Sequence, residues 1–274
     1  MPTIDERLRQ VTLKIKRAKE HVADLEREVS AFLDTHPYVI ATKRNPQTRQ
    51  LIYYVSSLRD TPESLPLLAG DAIQNLVSAL DHMAYQLVCC DTGDKPPNPN
   101  RIYFPIAEDA AKYEAKKRGK IEGASDDTVK AIDALKPYKG GKDLLWVLNR
   151  LNNIDKHRLL ITVGSIFQSV NIGAHATAYM QRAVDADPAN PFHGTVFPVL
   201  DLFLKPGDAP IPLKIGYEIF TDEPVAEVNQ KMQFRFSVAL YEPQISEAQS
   251  LVETLHQLVA LVESIIAALK PRLK

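Results

Sequence analysis

Cysteine is nearly missing from this chain: there are two, Cys89 and Cys90, and they are adjacent. Neighbouring positions on a helix point about 100° apart, so a structural disulfide or shared metal ligation within this pair does not fit. They read as packing residues of a reducing compartment. Net charge is missing as well. Lys and Arg number 33 against 34 Asp and Glu, a formal charge of −1. No global field therefore attracts nucleic acid, and any such binding needs a local patch. No apolar run approaches the length of about 18 residues that a membrane span needs, and the first residues lack the apolar stretch of an export signal. No membrane partner is expected, and the cytoplasm is the expected location. Motifs for ready-made chemistry are absent too. There is no G-x-S-x-G elbow, no G-x-x-x-x-G-K-[ST] or G-x-G-x-x-G loop, and no H-x-x-x-H pair. A serine triad, a phosphate cradle and a metal site carried by one helix are disfavoured accordingly.

What is present is periodicity. Thr3 and Glu6 stand at capping-box spacing. Behind them Ile4, Leu8, Val11, Ile15, Ala18, Val22, Leu25, Val29 and Phe32 recur at steps of four and three. This predicts a long amphipathic helix that stops near His36 and Pro37. Residues 246–269 repeat the pattern with Leu251, Leu255, Leu258, Val262, Ile265 and Leu269. Such stripes pack inside a bundle or pair two copies, so a homodimer through the long helices is the alternative to intramolecular packing. Residues 38–44 and 51–57 read as a hairpin, and 159–180, 196–204, 212–220 and 232–240 as stretches of strand length. Residues 107–136 are helical in tendency and rich in lysine. Lys112, Lys116, Lys117, Arg118 and Lys120 read as a solvated face first and as a phosphate patch second. With 274 residues and 45% apolar content, the chain is expected to be one α+β unit. Its long terminal helices and two central ones form a bundle of about four that carries an antiparallel sheet. The helical part spans 1–158 and 244–274, and the β-rich part 159–243.

The two central helices, 70–90 and 142–160, carry the candidate site. In the first, Ile73, Leu76, Leu80, Met83 and Leu87 make an apolar seam, and Asp71, Asn75, Ser78 and His82 run beside it. In the second, Leu144, Val147, Leu151, Ile154 and Arg158 make the seam, with Trp146, Arg150, Asn153 and His157 alongside. A polar row at the edge of a buried face must find partners, which makes it a natural place for a site. His157 and Arg150 supply a proton carrier and a cation, His82 a second imidazole. Asn153, Asn75, Ser78, Asp71, Asp155 and Trp146 could hold a substrate. Trp146 also reads as a core anchor. One common hollow requires the two rows to face each other. The same helix edges admit a bland reading, in which the polar groups satisfy one another across helix interfaces.

The stretch from Arg150 to His157, R-L-N-N-I-D-K-H, resembles the arginine–histidine motif of HEPN-domain proteins. That resemblance implies a helical domain with metal-independent ribonuclease activity in a dimer cleft, Arg150 and His157 as its central pair, RNA as partner and no cofactor. Leu151 stands where such motifs carry a polar residue. The longer pattern G-D-A-I-Q-N-L-V-S-A-L-D-H, then F-P-I, then L-N-N-I-D-K-H-R, resembles one that recurs in uncharacterised bacterial proteins and implies no activity. The leading expectation is a HEPN-like RNA-cleaving or RNA-binding protein. A metal-dependent hydrolase using Asp71, His82, Asp155 and His157, with Asp81 and His175 as further ligand types, is the enzyme alternative. A non-enzymatic binding or scaffold protein is the third.

Overall fold

The structure, a computed structural model, describes residues 2–171, 173–198, 203–204, 211–222, 234–243, 245 and 249–273. It is α+β, as expected. Helix α1 runs Ile4–Asp34 and starts on the predicted capping box, with the Glu6 N–H donating to the Thr3 hydroxyl (3.2 Å) and the Thr3 N–H to the Glu6 carboxylate (2.7 Å). A hairpin, β1 (Tyr38–Arg44) and β2 (Leu51–Leu58), leads to α2 (Ser64–Asp91). Asn45 makes the hairpin turn, its side-chain oxygen accepting the N–H groups of Gln47 and Thr48. Helix α2 then returns antiparallel to α1. The Arg7 guanidinium at the start of α1 grips Asp94 beyond the end of α2 (2.7 and 3.1 Å). Near the other end, Ser64 bonds Glu28.

Three short helices follow: α3 (Ala110–Lys120), α4 (Asp126–Asp133) and α5 (Asp143–Asp155). The lysines of α3 are not a uniform solvated face. Lys117 is buried, its ammonium donating to Asp133 (2.8 Å) and Glu114 (2.9 Å), and Lys120 reaches the Ile106 carbonyl (3.2 Å). The last helix, α7 (Leu251–Leu269), is capped by Ser250 and lies against α1, α2 and α5. By length and composition the stretch Leu251–Arg272 could cross a membrane. Here its apolar stripe, from Leu251 to Leu269, is buried in the core together with that of α1 from Leu8 to Phe32. A homodimer through those two stripes would have to open this core.

The β-rich part departs from expectation in two ways. Residues 159–180 split into β3 (Thr162–Asn171) and helix α6 (Gly173–Asp185), because four alanines follow Gly173 and alanine favours helix most. The hairpin also does not extend one common sheet. Strand β6 (Glu218–Asp222) pairs with the outer edge of β2, closing a separate sheet ordered β1-β2-β6. The second sheet runs β4 (Phe203–Leu204), β3, β7 (Phe234–Leu240) and β8 (Gln249–Ser250), with β5 (Ile211–Pro212) also on β3. Parts of the expected stretches 196–204, 212–220, 232–240 and 246–269 lie outside the described residues.

One ion pair ties the helical and β parts together. The Glu242 carboxylate, just past β7, is 1% exposed and takes both guanidinium N–H arms of Arg158 (3.0 and 2.7 Å) and the Ile161 N–H (2.9 Å). Arg158, itself at the surface, is thus paired with a buried carboxylate. Removing one partner of a fully buried pair costs about 3–5 kcal/mol. Arg158 is 43% exposed, so water can replace part of what it supplies. Arg158→Ala is expected to lower unfolding stability by about 1–3 kcal/mol in chemical denaturation. Glu242→Gln, which keeps an acceptor for Ile161, is expected to cost less.

Candidate functional site

The polar row of α2 is turned towards α1. Asn75 donates its side-chain amide to the Asp71 carbonyl one turn back (2.8 Å) and accepts from the Lys14 ammonium (3.3 Å). The Ser78 hydroxyl donates to the Gln74 carbonyl (2.8 Å), so it is tied to its own helix and makes no nucleophile–base pair with His82. Asp71 is exposed.

His82 opens into a cleft of about 490 Å³ between α1, α2 and the segment after α2, whose walls include Gln10, Asp81, His82, Tyr85, Asn100 and Tyr103. Burial holds the His82 pKa below its ordinary value, and the Lys14 charge adds to the effect. The imidazole is therefore mainly neutral near pH 7. Next to it the Asp81 carboxylate accepts the Phe104 N–H (2.8 Å). Burial pushes the Asp81 pKa up, while that N–H and the charges of Lys120 and Lys156 pull it down. A carboxylate and a histidine shifted by burial in one cleft are the usual marks of a binding or catalytic place.

The row on α5 faces elsewhere. Arg150 is half-buried, while Asn153 and His157 are exposed. His157 lies just past the helix end, its backbone N–H donating to the Ile154 carbonyl (2.9 Å). Trp146 is buried, its indole N–H donating to Glu108 (3.3 Å) and the Lys139 ammonium lying 4.5 Å from its ring centroid. It is an anchor of α5. Asp155 is the residue that meets α2. A Cβ on Gly70 would come within 2.6 Å of the Asp155 carboxylate carbon, so the missing side chain of Gly70 is the space that Asp155 fills. Burial raises the Asp155 pKa, and the neighbouring Asp71 charge raises it further.

The expected single hollow does not form. The structure brings Asp71 to Asp155 and Asn75 to Lys14, but among the described residues no α5 side chain lines the His82 cleft. Asp71 and His82 are separated by three turns, about 16 Å along α2. The four proposed metal ligands do not gather either: among the described residues no three His, Cys, Asp or Glu side chains could hold an ion together. The side chain of His175 lies outside the described residues. Of the cleft residues not anticipated, Tyr85 had a signal, since it continues the α2 polar row one step of three beyond His82. Gln10, Asn100 and Tyr103 arrive through tertiary packing alone.

Asp155 generates a pH test. Its folded pKa is raised, so its favourable contribution is present below the unfolded value of 3.8 and is lost as pH rises through the folded value. Asp155→Asn should therefore melt at a higher temperature than the parent at pH 7, with the difference shrinking as pH falls towards 4. A constant difference across pH would remove the electrostatic cause. No family model, curated protein or solved structure matches this chain.

Proposed function

We propose that the chain binds single-stranded RNA along the outer row of α5. Arg150 neutralises a phosphate, Asn153 holds a ribose or phosphate oxygen, and His157 is positioned to move a proton at the phosphodiester. The observation that carries this reading is the exposure of Asn153 on α5 and of His157 just past its end. Exposed Lys156 adds a second cation. The HEPN-like spacing of Arg150 and His157 supports it independently of the geometry. Local basic groups have to provide the attraction, because the whole chain carries only −1.

Cleavage is the finer form of the proposal. Attack by a 2′-hydroxyl on phosphorus loses a proton, and the departing 5′-oxygen gains one, giving a cyclic phosphate. Each α5 row brings one histidine, and His82 lies in the other cleft, so the second proton carrier comes from the row of a second copy. A homodimer joined at the α5 ends, and not through α1 and α7, belongs to this form.

Fluorescence anisotropy with a labelled single-stranded RNA tests the binding. Arg150→Ala should weaken it about tenfold and reduce the salt slope by about 0.7, the share of one phosphate contact. Asn153→Ala and Lys156→Ala, at exposed positions, keep the test valid should Arg150→Ala fail to fold. RNA affinity unchanged in all three would overturn the proposal. If the RNA is cut, cutting should persist in EDTA and vanish in His157→Ala with the circular dichroism unchanged.

A further inference from the structure

The cleft at His82 has its own chemistry, which the α5 row does not use. At about 490 Å³ it lies within the range of small-ligand sites. Tyr103 is half of its attraction. Tyr103 is 50% exposed, yet it is held at both ends. Its backbone N–H donates to the Lys120 carbonyl (3.0 Å) and its hydroxyl to the Asn100 carbonyl (3.3 Å). A fixed, accessible aromatic face is a stacking platform.

Asp81 is the other half. The Phe104 N–H fixes the carboxylate through Oδ1, and among the described residues no hydrogen bond reaches Oδ2. A half-buried carboxylate with an oxygen to spare gains from a ligand that brings N–H donors. Oδ2 is open and Oδ1 keeps a second lone pair beside the Phe104 N–H, so a planar ring that stacks on Tyr103 can meet this carboxylate with two adjacent donors. Among the four RNA bases only guanine presents an N1–H beside an amino group on one edge. Adenine and cytosine place a ring-nitrogen acceptor beside their amino group, and uracil flanks its single N–H with two carbonyls. Each would set a lone pair against the Asp81 oxygens. Gln10 and Asn100, also in the wall, have amide groups able to answer the guanine carbonyl.

We propose that this cleft is a guanine-binding pocket, with Asp81 pairing the N1–H and amino group and Tyr103 stacking on the base. The pocket stands independently of RNA binding by α5, since a free guanosine nucleotide and a guanosine within an RNA chain offer the same edge. Two arms separate those sources. In the first, the whole chain is titrated calorimetrically with guanosine 5′-monophosphate and adenosine 5′-monophosphate. In the second, anisotropy compares an RNA oligomer containing guanosines with one in which each is replaced by adenosine. Preference for guanine by tenfold or more in either arm supports the pocket, and the arm that shows it names the source. Asp81→Asn, which keeps the acceptor for Phe104, should erase at least tenfold of that preference, and Tyr103→Ala should weaken binding of any base by about tenfold. Equal response to guanine and adenine, no saturable binding in both arms, or an Asp81→Asn protein with undiminished preference would each overturn it.

Discussion

The arrangement of this chain depends on one close approach, that of α5 to α2 at Gly70. Helix α2 is buried on most of its circumference, with α1, α5 and α7 all packed on it. Small residues at Ala69, Gly70, Ala72, Ala79 and Ala84 allow that crowding. At Gly70 the allowance is complete: the Asp155 carboxylate occupies the place of a side chain. This contact sets where α5 ends, and therefore where the turn carrying Lys156, His157 and Arg158 leaves the helical part. Farther along α2, Asp81 and His82 meet the segment that holds Tyr103.

Charges reinforce the same plan. Arg7 on Asp94, Lys117 on Asp133 and Arg158 on Glu242 each pair one nearly buried group with a more accessible partner across distant parts of the chain. Such pairs add little net stability but select one register of packing, because a wrong one would strand a charge. Asp81 and Asp155 differ from these. Their pKa values are raised, not lowered, because burial outweighs what surrounds them.

The helices were legible in the sequence because their period runs unbroken. Val11 to Phe32 and Leu251 to Leu269 face the core as their spacing requires, and Thr3 and Glu6 cap as written. The sheets were legible only as strands. Pairing of β2 with β6 joins segments far apart in sequence, and no local pattern encodes it. Alanine content, read properly, pointed to α6 within a stretch that otherwise looks extended. The site was legible by residue and not by arrangement. Periodicity places Asn75, Ser78 and His82 on one face of α2, but it cannot say that Lys14 of α1 would cover that face while Asn153 and His157 met solvent. Tyr103 left no trace in the sequence, because an exposed loop aromatic is ordinary until its neighbours are known.

The contact at Gly70 is open to a direct measurement, a double-mutant cycle on unfolding free energy with Gly70→Ala and Asp155→Ala. Alanine in place of glycine inside a helix normally stabilises by about 1 kcal/mol. Against the Asp155 carboxylate, Gly70→Ala should instead destabilise by about 1–3 kcal/mol, and with Asp155→Ala present the ordinary gain should return. A coupling above about 1 kcal/mol with this change of sign is the predicted result. Additivity within about 0.5 kcal/mol, with Gly70→Ala stabilising in both backgrounds, would contradict the packing from which the positions of both the His82 cleft and the α5 row are derived.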